Sequence, residues 1–351
     1  MLKTLGFTEQ IIKINQEYST IQTQLARVIT VHKDRYIVKN EKRVFYAQII
    51  GSLRYTSNSS KDFPAVGDWV EIIPMDKDSV VIKSVLNRYS TLERKRVGKS
   101  NELQLIATNI DAAFIVMAVN QDYNLNRLDR YITLCNEGGI EPIVLLTKTD
   151  LIEDGEIQEY IAQIKQRHSQ IKIHALSMYG DGGFIPFKDD LLRYKTYCFI
   201  GSSGVGKSTI INRLLHEKEL KTNSISTSNQ KGKHTTTNRA LFVLPNGSIV
   251  IDTPGMREVG MSNHSKGIEQ TFEAIIDLAK TCRFSDCTHT NETSCMVLEA
   301  LVNGILTEEV YNSYIKLKRE EEHYAQSSQE RKKSGKNLSK LIRHAQKRKK
   351  Y

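Results

Sequence analysis

Eight consecutive residues, Gly201-Ser202-Ser203-Gly204-Val205-Gly206-Lys207-Ser208, have the composition and spacing of a loop that wraps phosphate groups. Glycines let the backbone curl so that successive N–H groups point inward, and a following helix adds the positive end of its dipole. The flanks fit: residues 197–200 are apolar and read as a strand, and 209–215 read as a helix beginning at Thr209. Lys207 is expected to reach the β- and γ-phosphates and to neutralise charge during hydrolysis, and Ser208 to ligate Mg²⁺. A glycine-rich turn without ligand is the bland alternative, and strand, full motif and helix together argue against it.

Two downstream segments narrow the nucleotide chemistry. Asp252-Thr253-Pro254-Gly255 follows the apolar run 249–251, about 44 residues past the loop. Asp252 suits the Mg²⁺ shell and the Gly255 N–H suits a γ-phosphate. Between them lies Lys231-Gly232-Lys233-His234-Thr235-Thr236-Thr237, where Thr235 and Thr236 offer switch hydroxyls; a plain surface loop is the alternative. A base reader stands on the other side. Thr147-Lys148-Thr149-Asp150 follows the apolar run 142–146 and is similar to Asn-Lys-x-Asp. In that motif the Asp carboxylate accepts from guanine N1–H and the N2 amino group, a donor pair that adenine lacks, and the Lys stem packs along the base. The base motif precedes the phosphate loop by about 54 residues. The order base motif, phosphate loop, threonine switch, Asp-x-x-Gly is a circular permutation of a GTPase domain, tolerated where natural termini lie close together.

Cys282, Cys287, His289 and Cys295 place three thiols and one imidazole within 14 residues. That set is the ligand set of a closed structural Zn²⁺ site, with no open position for catalysis. Three unrelated thiols are the alternative. Cys135 and Cys198 read as core residues.

These motifs need elements to hold them. Residues 25–87 contain five short runs rich in Val, Ile and Tyr separated by turn-prone segments, a small β-barrel by pattern. An OB-type barrel that binds nucleic acid and a barrel that only packs on its neighbour remain open on this ground. Residues 88–104 are a basic linker, either solvated or facing RNA. Apolar strands alternating with helices over 105–265 imply a parallel sheet covered on both faces. Residues 266–325 read as a helical zinc-binding domain, and 1–24 as a polar, faintly helical extension.

Charge and composition set outer bounds. The chain has 351 residues and a net charge of +10. Residues 1–330 are formally neutral; the excess lies in the tail, 326–351, which seeks polyanions and resists packing. No apolar run approaches 18 residues, so no transmembrane helix is expected, and the start lacks the apolar stretch of a secretory signal. Five cysteines fit a reducing cytoplasm better than a disulfide framework.

Taken in order, these residues resemble the bacterial ribosome small subunit-dependent GTPase A family. The resemblance runs from Gln24 to about Glu320 and includes Val66-Gly67-Asp68, Ala107-Thr108-Asn109-Ile110-Asp111, Leu128-Asp129-Arg130-Tyr131 and Phe284-Ser285-Asp286-Cys287-Thr288-His289. It implies an N-terminal OB-type barrel, a permuted P-loop GTPase domain and a C-terminal zinc domain in a monomer. It also implies GTP and GDP as ligands with Mg²⁺, the 30S subunit and its 16S rRNA as partners, no membrane, and a role in late small-subunit maturation. Intrinsic hydrolysis is expected to be slow and stimulated by the subunit. Three departures follow. Thr147 replaces the usual Asn, so a polar link from base loop to phosphate loop is expected to weaken. The Ser-Ala motif near the base is degraded in Ala175-Leu176-Ser177-Met178 and is assigned no role. Met256 stands where many GTPases carry a water-positioning glutamine, which leaves His234 as the available catalytic replacement; contact with RNA or simple packing is the alternative reading of that histidine. The rival reading is an RNA-binding assembly factor that holds GTP structurally; an ATP-dependent kinase is disfavoured by Asp150.

Overall fold

The computed structural model describes residues 2–16, 24–32, 35–56, 59–95, 103–120, 122–179, 183–216, 239–253 and 264–323. Two compact units divide the chain, residues 1–259 and 260–351.

The first unit opens with a 3₁₀ turn, Leu2–Leu5, and helix α1, Glu9–Ile14. Five strands follow: β1 (Gln24–His32), β2 (Arg35–Lys39), β3 (Val44–Ile49), β4 (Trp69–Pro74) and β5 (Ser79–Val85). Helix α2, Gly51–Thr56, lies between β3 and β4. The strand order is β1-β2-β3-β5-β4, with β4 returning to pair β1 and β3 running parallel to β5. Closure removes the free edges, and the order matches an OB-type barrel. Ala26, Val28, Val38, Ala47, Val70, Ile72 and Ile82 alternate inward to fill it. The N-terminal extension is a cap: Leu5 and Ile11 are buried with Trp69 and Leu86.

The segment read as a basic linker is largely a hairpin. Strands β6 (Thr91–Lys95) and β7 (Leu103–Thr108) pair antiparallel, and Leu92 is fully buried in the core of the neighbouring domain. Leu92, the one apolar residue of β6, anchors the strand, and the charges around it mask that in the composition.

The α/β domain continues with β8 (Ala112–Ala118), α3 (Leu125–Glu137), β9 (Glu141–Thr147), α4 (Asp154–Arg167), β10 (Lys172–Leu176), α5 (Phe184–Asp189), β11 (Thr196–Ile200), α6 (Lys207–His216), β12 (Ala240–Val243) and β13 (Ile249–Asp252). The sheet order is β10-β9-β8-β11-β13-β12; the first five are parallel and β12 is antiparallel. Both faces are covered. Ala113, Ile115 and Met117 of β8 enter one core, and Ala112, Phe114 and Val116 enter the other. The chain leaves β8 toward β9 and β10, then returns to place β11 on the opposite side. Ligands bind at such a switch point, beyond the carboxyl ends of the strands.

The barrel and this sheet form one continuous unit. Thr30 of β1 bridges Ala240 of β12. Arg27, fully buried, closes the seam: its guanidinium donates to Gly67 O (3.1 Å), Leu5 O (2.5 Å), Thr196 Oγ1 (3.1 Å) and Asn109 O (3.0 Å). Burial lowers its pKa, and the ring of acceptors offsets the cost of removing the charge from water. Gly67, at φ +98°, lets the Thr108 backbone come close at the same seam; a Cβ there would lie 2.1 Å from Thr108 O.

The second unit holds α7 (Ser265–Thr271), α8 (Glu273–Ala279), α9 (Met296–Val302) and a longer helix over 308–323. Its core is Ile268, Phe272, Ile275, Val297, Tyr314 and their neighbours. Among the described residues no helix is long and apolar enough to cross a membrane.

Candidate nucleotide site and metal centre

The predicted site residues of the first unit that fall within the described segments gather at the carboxyl ends of β9, β11 and β13. β11 ends at Ile200 and passes directly into the phosphate loop; α6 starts at Lys207. Gly201, at φ +142°, could not carry a side chain, because a Cβ would meet Val116 O at 2.3 Å. Lys207 Nζ donates to Gly201 O at 2.9 Å and also to Ser202 O, which holds the ammonium over the loop. Ser202 is braced from α3. Arg127 Nη1 donates to Ser202 Oγ at 2.6 Å and to Asp122 Oδ1 at 2.5 Å, and the Asn124 side chain caps α3 at Arg127 N–H. At the end of β13, Asp252 lies beside the loop strand, and Thr253 Oγ1 donates to Phe199 O at 2.7 Å. The hydroxyl of Ser208 at the helix start and the carboxylate of Asp252 are hard oxygen donors, the type Mg²⁺ takes.

The base loop departs from expectation in two ways. Thr147 is buried, and its hydroxyl donates to Val205 O of the phosphate loop at 2.7 Å. The link expected to weaken is therefore made, by a hydroxyl in place of an amide. Lys148 adopts φ +59°, which turns the chain sharply into the 3₁₀ turn Thr149–Leu151. Asp150 Oδ1 accepts from Ser177 Oγ at 2.9 Å, and Ser177 Oγ accepts from Tyr179 N–H at 3.0 Å. Ser177, which sequence reasoning left without a role, fixes the orientation of the Asp150 carboxylate. Arg213 of α6 lies 4.0 Å over the Phe184 ring and donates to Met178 O at 3.4 Å, tying this loop to the phosphate-loop helix. The signal was present as a serine directly after β10.

Four residues of the predicted site, His234, Thr235, Thr236 and Gly255, lie outside the described residues, as does Met256.

In the second unit, the ligand atoms of Cys282, Cys287, His289 and Cys295 all lie within 4.8 Å of one another. Cys282 Sγ is 3.9 Å from Cys295 Sγ, and His289 Nδ1 is 3.7 Å from Cys282 Sγ and 3.4 Å from Cys295 Sγ. A tetrahedral Zn²⁺ with Zn–S about 2.3 Å and Zn–N about 2.0 Å puts sulfurs about 3.8 Å apart and sulfur–nitrogen pairs about 3.5 Å apart. The donor set and spacing fit. Burial, with Lys318 nearby, holds the His289 imidazole below its usual pKa, in the neutral form a metal requires. The turn carrying His289 is folded by Glu292, whose carboxylate accepts from the N–H groups of Thr288 (2.8 Å), Thr290 (2.9 Å) and Asn291 (3.1 Å). Tyr311 Oη donates to His289 O at 2.7 Å, joining the turn to the last helix.

With this geometry in hand, comparison with known proteins is decisive. The sequence profile of the RsgA GTPase family matches residues 85–262. The chain belongs to the RsgA GTPase family. Among curated RsgA proteins, a small ribosomal subunit biogenesis GTPase RsgA 1 of Listeria monocytogenes is 41% identical, covering 93% of this chain and 89% of the relative. One of Bacteroides thetaiotaomicron is 35% identical over 99% of this chain and 97% of its own length. Of solved structures, YjeQ from Thermotoga maritima aligns with a TM-score of 0.63 at 25% identity, covering 84% of this chain and 96% of that one. YloQ, described as a circularly permuted GTPase, aligns at 0.60 and 23% identity, over 85% and 95%, and supports the fold alone. As an RsgA GTPase the protein is a GTP hydrolase with a permuted domain, and the family implies guanine nucleotide and Mg²⁺.

Proposed function

We propose that this RsgA GTPase acts on the small ribosomal subunit as a timer in its late maturation, with hydrolysis stimulated by the subunit. The observation that carries the reading is the convergence of base loop, phosphate loop and Asp252 on a sheet continuous with an OB-type barrel. RsgA relatives named for small ribosomal subunit biogenesis support the partner.

Each residue has a role in this reading. Asp150, oriented by Ser177, selects guanine, with Lys148 along the base and Thr147 and Thr149 shaping the turn. Gly201 to Thr209 cradle the phosphates by backbone N–H groups, and Lys207 neutralises charge on the β- and γ-oxygens. Ser208 and Asp252 hold Mg²⁺, which supplies charge neutralisation when bound. Thr235, Thr236 and Gly255 close on the γ-phosphate, and His234 positions the attacking water. The four-ligand zinc centre is structural. The barrel offers a surface for 16S rRNA: Tyr46 is 68% and Tyr55 93% exposed, and such rings stack on bases. The tail 331–351 adds counterion-release affinity. A cytoplasmic monomer fits these roles.

The test is GTP hydrolysis across a titration of mature and immature 30S subunits. Stimulation that saturates with subunit, and that His234→Ala removes while GTP affinity stays near normal, is expected. Unstimulated turnover would instead leave an RNA-binding assembly factor that uses GTP as a structural ligand.

A further inference from the structure

Helix α3 carries a stretch, Leu128-Asp129-Arg130-Tyr131, that takes no part in the roles above. Two nearly opposite faces of this helix make different contacts. Arg127 and Tyr131, four residues apart, share one face, and both reach Ser202 of the phosphate loop. Arg127 Nη1 donates to the Ser202 hydroxyl at 2.6 Å, and the Tyr131 hydroxyl is hydrogen-bonded to the same side chain. Asn126 and Asp129, three residues apart, meet the end of α4 instead. Asp129 Oδ2 pairs with Arg167 Nη2 at 2.6 Å, and Asp129 Oδ1 lies 2.8 Å from His168 Nε2. Arg167 Nη2 also donates to Asn126 Oδ1 at 2.8 Å.

This lock is an interior one. Asp129 is fully buried, and the side chains of Arg167 and His168 are only 6% and 10% exposed. A carboxylate out of water is tolerated where charged and hydrogen-bonding partners surround it, and such a pair is strongly destabilising when one member is removed. The lock therefore fixes α3 against α4 at one position. α4 begins at Asp154, three residues after the turn Thr149–Leu151 of the base loop, and ends at the lock. On the far side of α3, the position of Ser202 matters twice. Its hydroxyl takes the grip from α3, and its carbonyl accepts from Lys207 Nζ. A Ser202 that shifts carries with it the carbonyl that competes with phosphate for the ammonium.

We propose that Asp129 is a positioning residue for the phosphate loop. Anchored by Arg167 and His168, it holds α3 so that Arg127 and Tyr131 keep Ser202 in place, and the anchor sets the rate at which nucleotide leaves. Asp129 has this role provided that Gly201 to Thr209 cradle the phosphates, as read above.

The test follows release of fluorescent GDP from the full chain by stopped flow, for Asp129→Asn, Ser202→Ala and the double variant. Each single variant should speed release about two- to fivefold, and the double variant should be no faster than the faster single one, because members of one network do not contribute independently. An Asp129 that served helix packing alone would give effects that multiply. His168→Ala, which leaves the Asp129–Arg167 pair in place, completes the same cycle where Asp129→Asn does not fold. The proposal is overturned if the effects multiply, if the lock variants that fold leave release unchanged, or if Ser202→Ala leaves it unchanged. Lys207→Ala separates this role from the cradle reading. Retained GDP affinity in Lys207→Ala would remove the cradle itself; lost affinity, with independent effects at Asp129 and Ser202, would remove only the role of Asp129.

Discussion

The nucleotide loops and the Cys/His centre are both ligand sites, but they differ in what holds them. The loops hang from a six-stranded sheet with extensive cores on both faces, and their polar contacts are made within the protein: Thr147 to Val205, Ser177 to Asp150, Arg127 to Ser202. The Cys/His centre sits among three helices of seven residues each and one longer one. Helices that short have little stability of their own. We propose that the first site is shaped before its ligand arrives, whereas the second, with a small core of its own, depends on its metal to hold its shape. Affinity in the first is tuned by single contacts, whereas the second responds as a whole.

The sharpest test of this contrast is metal removal. Structural Zn²⁺ contributes about 10–16 kcal/mol in zinc-finger peptides, as much as the whole stability of a typical domain. Chelation, or Cys287→Ser, should therefore unfold residues 264–323, seen as loss of helical signal and new protease cleavage there. GDP affinity should change little; a large parallel loss would erase the distinction. One equivalent of zinc per chain is expected by elemental analysis.

Next in size is Asp150→Asn. Two charge-assisted hydrogen bonds to guanine, each about 1.5–3 kcal/mol, imply a loss of GTP affinity of about a hundredfold or more. Fluorescent nucleotide titration measures it, and retained GTP selectivity over ATP would remove Asp150 from base reading.

Thr147→Val probes a contact inside the first site. It keeps the shape and strips the buried Val205 carbonyl of its donor, at a cost of about 1–3 kcal/mol. Nucleotide affinity should fall several-fold, and Thr147→Asn should retain it. Equal losses in both variants would mean that the hydroxyl serves packing alone.

The smallest effect is expected at Arg127→Ala. Its side chain is 36% exposed, and ion pairs of that kind contribute about 0.2–1 kcal/mol, so GDP affinity should fall less than about fivefold. A larger loss in dissociation-rate measurements would show that α3 does more than brace Ser202.

Much of this was legible from residue order. Alternating apolar runs gave the five barrel strands, and the motifs marked the ends of β9, β11 and β13. What periodicity could not reveal was adjacency: β8 and β11 are neighbours although nearly 80 residues separate them. Leu92 and Ser177 were missed because one is a lone apolar residue in a charged strand and the other sits in a degraded motif; only their partners disclose their roles. Arg27 lies within a β-rich run and carries no signal of its own, because its acceptors come from segments as distant as Leu5 and Thr196. The N-terminal residues gave a weak helical signal because their job is done by two side chains, Leu5 and Ile11, under Trp69.

The position of β11 has a consequence for synthesis. A chain made from its N-terminus completes the barrel, β8 and β9 while the slot beside β8 is still empty. An unpermuted order would deliver the phosphate-loop strand first and let later strands add to it. Here the central strand arrives late and must enter between β8 and β13, the latter made later still. Long-range pairings of this kind slow folding and leave strand edges open in the meantime. The barrel, complete and continuous with the sheet through Thr30 and Ala240, is then the first finished part against which the rest of the domain can assemble.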